Sequence, residues 1–211
     1  MRLVPLLVLA LASTGCEAIG RQTGLSPHWT SAWKDVATAE DDVRLRDWRL
    51  AFTAGLDAAK RSGHAADIAR EGALLDPDAA EGGGPIPNGL YRCRVIKLGA
   101  KEPGNLDFVA YPGFTCAVGP ERNLQLLSKL GGSQRYAGLL FPGDQVHQVF
   151  LGTLVLGDET RPLQYGQDGT RDVAGYVERI GPGRWRLIMP KPHFESQFDV
   201  MELVPPPERV R

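Results

Sequence analysis

Beyond residue 88 the chain alternates apolar and polar residues with a period of two, in short runs separated by turn residues. Alternation of this kind is typical of half-buried β-strands. We predict eight strands, at residues 90–98, 107–118, 123–130, 135–142, 147–156, 173–181, 184–191 and 199–204. Every connection is too short for a crossover helix, so consecutive strands are expected to pair antiparallel. Eight such strands most simply form an up-and-down β-barrel, which leaves no exposed sheet edge.

A helical segment precedes the strands. Thr38 and the acidic residues that follow it are typical of a helix N-terminus, because a hydroxyl can cap a free N–H group. The next apolar residues recur at spacings of three and four: Leu45, Trp48, Phe52, Leu56 and Ala59. We predict one helix of roughly 20 residues that ends before Gly63, and a shorter helix over residues 64–75. The fold class is therefore α+β, mainly β, with a small N-terminal helical segment followed by an antiparallel up-and-down β-barrel.

The N-terminus is typical of an export signal. Arg2 precedes an apolar run at residues 3–12, which is too short to span a bilayer and suits the core of a signal peptide. Small residues then lead into Cys16, as in a bacterial lipobox, so we predict cleavage before Cys16 and lipidation of its thiol. Cleavage after Ala12 and ordinary secretion to the periplasm are the alternative, but that signal would be unusually short. Because Glu17 is not the Asp of an inner-membrane retention signal, we expect an outer-membrane lipoprotein that faces the periplasm.

These patterns divide the chain into four parts. They are a lipoprotein-type signal peptide at residues 1–15, a tether at 16–34, a helical segment at 35–84 and the antiparallel β-barrel domain at 88–205. The 24 basic and 25 acidic residues leave a net charge of -1, which argues against nucleic acid as a partner. The predicted partners are the membrane, through the lipid anchor, and a small ligand or another envelope protein.

Two cysteines remain if Cys16 carries lipid. An even pair in an oxidising compartment favours a disulfide between Cys93 and Cys116. Strand alternation places both side chains on apolar faces, as a bridge inside the barrel between neighbouring strands requires. The alternative is a pair of small buried thiols.

Two connections between strands carry polar residues that suit a binding rim. One is the glycine-rich turn at residues 131–135, and the other is the long loop at residues 158–172, since long loops are often functional. The candidate binding-rim residues are Gln134, Arg135, Tyr165, Arg171 and Asp172. We expect Tyr165 to be exposed. The alternative for both segments is ordinary turns with local ion pairs of little energy.

The chain contains few candidates for catalysis. His193 and Glu195 fall on the same side of an extended segment, and His147 precedes an apolar strand, so these residues are candidates for acid–base chemistry or a metal site. A metal site needs three or four ligands, which the spacing does not supply. Neither a nucleophile elbow nor a phosphate-binding loop is present. We therefore predict no catalytic residue, no metal site and no cofactor.

Four arginines project from the polar faces of two predicted strands: Arg92, Arg94, Arg184 and Arg186. If these strands are neighbours in the barrel, the arginines form a basic strip that suits an anionic ligand. The alternative, which we favour, is outward-facing, solvated arginines that pair with Glu178 or Glu195.

Several segments of the chain resemble one known family. They are residues 91–99, 132–135, 150–154, 177–181 and 184–187. Over residues 40–205 the chain resembles the domain of unknown function 4893, which occurs in exported proteins of Gram-negative bacteria. The resemblance implies export but no activity. A looser likeness is to small periplasmic barrel inhibitors of secreted metalloproteases, which also have eight strands and a disulfide between the first two but lack the helical segment.

We expect a non-enzymatic, lipid-anchored protein of the cell envelope whose barrel has a binding or structural role. A ligand-binding barrel predicts an interior cavity with a few inward polar groups and fails if side chains fill the interior. The first alternative, a periplasmic inhibitor of a secreted protease, requires an extended exposed segment, for which residues 17–37 are the candidate. The second, a hydrolase, requires titratable groups that converge in one cleft.

Overall fold

The computed structural model describes residues 31–207. The predicted signal peptide at residues 1–15, the predicted lipidation site Cys16 and most of the predicted tether lie outside the described residues. Within residues 31–207, no helix combines the length and the apolar character needed to cross a membrane.

The N-terminal segment is helical, as predicted, but more divided. It contains a 3₁₀ turn at Trp33–Asp35, helices α1 (Ala39–Arg46), α2 (Trp48–Arg61) and α3 (Ala65–Glu71), and a second 3₁₀ turn at Gly72–Leu75. Thr38 caps α1, since its hydroxyl accepts a hydrogen bond from the backbone N–H of Asp41 at 3.2 Å. The prediction of one long helix is wrong because the backbone at Asp47 leaves the helical conformation between α1 and α2. This break lets each helix follow a different part of the curved barrel wall.

The strands form one antiparallel sheet that closes on itself. They are β1 (Gly89–Ala100), β2 (Phe108–Ala110), β3 (Phe114–Glu121), β4 (Leu124–Lys129), β5 (Gln134–Pro142), β6 (His147–Leu156), β7 (Asp172–Gly181), β8 (Arg184–Pro190) and β9 (Ser196–Val204). Consecutive strands pair from β3 to β9, while β1 pairs with both β3 and β9 and so closes an eight-stranded barrel. The predicted strand at residues 107–118 is two strands, because Pro112 and Gly113 interrupt the ladder and the short β2 pairs with β1 alone.

Side chains fill the barrel interior over most of its length. A continuous cluster of buried residues, among them Tyr91, Val118 and Phe150, occupies the space between the walls. One end is plugged by Ile86, which is 1 % exposed and belongs to the same cluster. Gln125 and Gln148 hold this plug in place: the Gln125 amide donates to the Ile86 carbonyl and the Gln148 amide oxygen accepts from the Ile86 N–H, both at 2.8 Å. A hollow barrel with a central ligand is therefore excluded, and the interior is closed at the end that holds Ile86.

The predicted disulfide between Cys93 and Cys116 is present. Both cysteines are buried in the interior cluster, and their Cα atoms lie 6.0 Å apart on the neighbouring strands β1 and β3. The bridge closes a loop of about 24 residues, for which the chain-entropy model gives about 3 kcal/mol of stabilisation. It joins β1 to β3 close to the point where β1 stops pairing with β3 and pairs with β2 instead.

Helix α2 packs on the outside of β1 and β9. The ring of Phe52 stacks on that of Phe198, with centroids 4.4 Å apart. Gly55 allows this close approach, since a Cβ at this position would lie 3.0 Å from the Cβ of Leu98. The apolar stripe predicted for the helices is thus the surface that covers the barrel wall.

A belt of alternating charges runs around the outer wall beneath the helical segment. Its members lie opposite one another on the neighbouring strands β1, β9, β8, β7 and β6, in the order Arg94, Glu202, Arg186, Glu178 and His147. The guanidinium of Arg186 is fully buried and pairs with Glu178 at 2.6 Å. It also donates to the carbonyls of Ala73, Leu74 and Asp76 at 2.8–2.9 Å, at the end of the helical segment. Arg186 therefore attaches the helical segment to the barrel.

The basic strip predicted from the arginine positions does not form. Strand β9 lies between β1 and β8, and its Glu202 accepts from Arg94 at 2.5 Å and from Arg184 at 2.6 Å. The expected alternative is correct in that Glu178 pairs with Arg186, but wrong in that this arginine is buried and not solvated. Glu195 pairs with Lys97 instead, and Glu202 is the carboxylate that pairs with Arg94 and Arg184.

We expect Arg186→Met to lower the free energy of unfolding by about 3–5 kcal/mol, because the change removes the guanidinium that pairs with the buried carboxylate of Glu178 and donates to three carbonyls of the helical segment. Urea unfolding followed by circular dichroism measures the loss. The double change Glu178→Leu with Arg186→Met should lose less, since no unpaired carboxylate remains. Arg46→Met removes an exposed arginine and is the control, with a loss below about 0.5 kcal/mol. A loss below about 1 kcal/mol for Arg186→Met would contradict this account.

Candidate functional site

A cavity of about 310 Å³ opens at the end of the barrel opposite Ile86, and we call it the mouth cavity. It exists because β1 leaves β3 at this end. The two strands pair only as far as Cys93 and Phe114, after which β1 pairs with β2 instead. The connecting residues at 111–113 bend away and leave a gap in the wall. Val95, Tyr111 and Phe114 supply the apolar side of the cavity.

The floor of the mouth cavity is a network of buried polar groups around Asp199. This fully buried carboxylate accepts from the ammonium of Lys97 at 3.0 Å, from the hydroxyl of Tyr136 at 3.1 Å and from the hydroxyl of Ser196. Burial lowers the pKa of Lys97, but the carboxylates of Asp199 and Glu195 outweigh it and the pKa is raised overall. Burial, together with the charge of Asp199, raises the pKa of Tyr136 well above its ordinary value. The floor therefore holds a charged pair and a neutral phenol, and it is satisfied without a ligand.

Lys129, at the end of β4, differs from the other charged groups that line the cavity because it pairs with no opposite charge among residues 31–207. Its ammonium donates to the backbone carbonyl of Gln134 and lies 4.3 Å from the centroid of the Phe114 ring. Among residues 31–207, no carboxylate lies within 4 Å of it. Burial, with the positive charges of Arg135 and Lys97, lowers the pKa of Lys129 to about 8. The cavity thus presents a half-buried cation that lacks a counter-ion within the described chain.

Glu195 forms the opposite side of the polar lining. Its backbone adopts the left-handed conformation with φ 67°, which is unfavourable for a residue other than glycine. Its carbonyl accepts from the N–H of Lys101 at 3.0 Å and from the side-chain amide of Asn105 at 3.3 Å, which hold it there. The Glu195 carboxylate lies 3.3 Å from Lys97 and accepts from the side-chain amide of Gln134 at 3.2 Å. Two neighbouring loops therefore position this carboxylate at the mouth.

Of the five predicted rim residues, Gln134 lines the mouth cavity. Arg135 and Arg171 lie at the same end but hold the long loop against the barrel. The guanidinium of Arg135 donates to the Gly157 carbonyl at 2.7 Å, and that of Arg171 pairs with Glu159 at 2.9 Å. These two arginines shape the loop, and their contacts are internal to the protein.

The prediction of an exposed Tyr165 is wrong. Tyr165 is buried in the cluster beneath α1, and its hydroxyl donates to Asp41 at 2.5 Å. Asp172 is also buried, with its carboxylate accepting from the Gly166 N–H at 2.9 Å and its carbonyl accepting from Arg44 at 3.2 Å. Both residues attach α1 to the long loop. The contact was missed because it joins segments more than 120 residues apart in the chain.

Sequence reasoning overlooked Lys97, Lys129 and Asp199, although one signal was available. Alternation along β1 puts Tyr91, Cys93 and Val95 on the inner face, and one further step puts Lys97 there too. The same step back from Met201 on β9 reaches Asp199. Two opposite charges on the inner faces of two strands indicate a buried pair at one end of a barrel. Strand alternation does not predict a role for Lys129, because this residue faces a cavity only where the chain bends at residues 111–113.

The candidate acid–base residues do not converge. His147 lies at the plugged end of the barrel, between Asp144 at 2.8 Å and Glu178 at 3.0 Å. His193 lies in the turn before β9, at the mouth end, and contacts Arg44 at 3.4 Å. Within residues 31–207, His, Cys, Asp and Glu side chains form no group of three or more that could hold a metal ion.

A larger groove of about 480 Å³ lies at the plugged end, beside Gln125, Gln148 and His147. The amides of Gln125 and Gln148 and the imidazole of His147 already have partners. The two amides bond to each other and to the plug, and the imidazole lies between two carboxylates. The mouth cavity is therefore the stronger candidate site, despite its smaller volume, because the cation of Lys129 remains without a carboxylate.

Burial raises the pKa of Asp172 to about 6. An unfolded Asp titrates near pH 3.9, so the folded state holds this proton more tightly. The contribution to stability is complete below about pH 4 and is lost as the pH rises to 6. We expect Asp172→Asn, which keeps an acceptor for Gly166, to remove this loss and to gain about 2–3 kcal/mol at pH 7 relative to wild type. Urea unfolding from pH 4 to pH 7 measures both profiles. Asp158→Asn, in the exposed part of the same loop, is the control, and parallel profiles for Asp172→Asn and wild type would refute the assignment.

Comparison with known proteins gives a family but no function. No curated protein and no solved structure matches the chain. The family model described as a domain of unknown function (DUF4893) matches residues 33–203, which include the helical segment and nearly all of the barrel. The match confirms the family that the sequence resembled, and the chain belongs to the DUF4893 family.

Proposed function

We propose that the protein is a non-enzymatic binding protein of the cell envelope, and that the mouth cavity holds a small ligand with an anionic group. The observation that carries the proposal is the half-buried ammonium of Lys129, which faces the cavity and has no carboxylate within 4 Å among residues 31–207. A ligand carboxylate or phosphate would supply the missing counter-ion. Charge-assisted hydrogen bonds of this kind contribute about 1.5–3 kcal/mol.

The remaining walls limit the rest of the ligand. A volume of about 310 Å³ is at the low end for ligand pockets, so the ligand is small. Val95, Tyr111 and Phe114 favour an apolar or flat portion beside the anionic group. Gln134 and Glu195 offer hydrogen-bonding groups at the entrance. The cavity therefore suits a small amphipathic anion.

The other functional hypotheses have less support. Protease inhibition needs an extended segment at residues 17–37, but its described part contains a 3₁₀ turn, and Trp33 and Val36 pack on the barrel wall. A hydrolase needs convergent acid–base groups, whereas His147 and His193 lie at opposite ends of the barrel. Neither hypothesis has an observation comparable to the cation in the mouth cavity.

We expect Lys129→Met to weaken the binding of small carboxylates by about ten- to a hundredfold, because the change removes the cation but keeps an apolar side chain. Isothermal titration with straight-chain carboxylates from acetate to decanoate, and with the matching alcohols, measures the effect. Binding of the alcohols should be unchanged. Lys60→Met, which removes an exposed lysine from α2, is the matched control and should bind like wild type. The proposal fails if no carboxylate binds wild type, or if Lys129→Met binds carboxylates as wild type does.

We further propose that a lipid on Cys16 anchors the protein to the outer membrane, facing the periplasm. The apolar run at residues 3–12, the small residues before Cys16 and the disulfide between Cys93 and Cys116 support this location, since disulfides persist in oxidising compartments. Several acyl chains at one site would make the anchoring stable.

Intact mass of the protein purified from membranes of its native host tests the anchor and the compartment together. We expect a chain that begins at Cys16 and carries a diacylglyceryl group and an amide-linked acyl chain. Two further thiols should react with an alkylating reagent only after reduction. An unlipidated chain that retains residues 13–15 would instead indicate ordinary secretion. Free alkylation of Cys93 and Cys116 without reductant would contradict the proposed compartment.

A further inference from the structure

We infer that Lys129 is a nucleophilic amine that captures carbonyl-bearing ligands as a Schiff base in the mouth cavity. The inference rests on the proposed ligand site and names a reactive group within it. An amine in such a role needs an approach path, surroundings that favour its neutral form, and nearby groups that can move protons. The geometry around Lys129 supplies all three.

The approach path depends on Gly132 and on the ring of Phe114. Gly132 has φ 85° and no side chain, and a Cβ there would lie 3.0 Å from the Nζ of Lys129. Glycine therefore keeps the amine accessible from the turn above it. The Phe114 ring, 4.3 Å below, and the Gln134 carbonyl hold the side chain toward the cavity instead of letting it extend into solvent.

The surroundings make a larger fraction of this amine neutral than is usual for a lysine. Lys129 is half-buried beside an apolar wall, and Lys97 and Arg135 place further positive charge nearby. Desolvation and neighbouring cations are the two means by which proteins activate a lysine as a nucleophile. The charged groups that face this region also include Glu195 and Asp199, but both carboxylates are engaged with Lys97. The lowered pKa of Lys129, about 8, agrees with this arrangement.

The reaction requires no oxidant or reductant. The neutral amine attacks the carbonyl carbon, a C–N bond forms, and a proton moves from nitrogen to oxygen to give a carbinolamine. Loss of the hydroxyl group with a second proton from nitrogen releases water and leaves the imine. Glu195 lines the same cavity, but its carboxylate lies more than 4 Å from Lys129, so these protons pass between the two groups through solvent water.

The six lysines of the chain provide an internal comparison. We expect glyoxylate with cyanoborohydride at pH 8 to label Lys129 about tenfold faster than the exposed Lys60 and Lys191, because a larger fraction of Lys129 is neutral at that pH. Peptide mass mapping of wild type over time measures the rates. In urea the preference should disappear. Equal labelling of Lys129, Lys60 and Lys191 in the folded protein, or slower labelling of Lys129, would overturn the inference.

A second measurement separates this inference from the ligand proposal. Glycolate has the same carboxylate as glyoxylate but no carbonyl group, and Lys129→Arg keeps a permanent cation that forms no imine. We expect Lys129→Arg to bind glycolate within about threefold of wild type in isothermal titration. Glycolate binding by wild type without selective labelling refutes the Schiff base alone. Selective labelling of Lys129 without glycolate binding refutes the anion proposal and supports the reactive amine.

Discussion

The buried pair of Arg186 and Glu178 is the interaction on which the arrangement of the two parts of the chain depends. A buried guanidinium needs several acceptors, and the barrel alone supplies one, the carboxylate of Glu178. The remaining acceptors are the carbonyls at the end of the helical segment. The guanidinium therefore reaches these carbonyls only when the segment is seated on the barrel. The match to the family model likewise spans the helical segment and the barrel together, at residues 33–203.

The two ends of the barrel differ because the chain plugs one of them and leaves the other open. The linker after the helical segment inserts Ile86 into the interior, and the amides of Gln125 and Gln148 fix it there. At the other end, Pro112 and Gly113 separate β2 from β3, so the wall opens instead of closing. A single change in strand pairing thus produces the mouth cavity. The disulfide between Cys93 and Cys116 lies just before this divergence and limits how far the opening extends.

How far the sequence predicted the structure depends on the range of the interaction. Strand alternation is local, so the barrel, the faces of Cys93 and Cys116 and the cap at Thr38 were predictable. The burial of Tyr165 was not, because it depends on a contact with Asp41, 124 residues away in the chain. The basic strip failed for a related reason, since closure places β9 and its Glu202 between the arginines. The candidate site depends both on local strand alternation and on contacts between distant parts of the chain. Lys97 follows from alternation, whereas Lys129 becomes part of a cavity only because β2 diverges.

Three departures from local stability rules lie at the mouth. Glu195 has a left-handed backbone, Lys97 points inward from a strand, and Lys129 is half-buried without a carboxylate. Each of these features lowers stability unless another interaction compensates for it. Asp199 compensates for Lys97, and contacts from Lys101 and Asn105 hold Glu195. Within the described chain, Lys129 has only a carbonyl and a ring face. Since local rules fail most often where a protein binds or reacts, this uncompensated amine is the strongest physical argument for placing function at the mouth cavity.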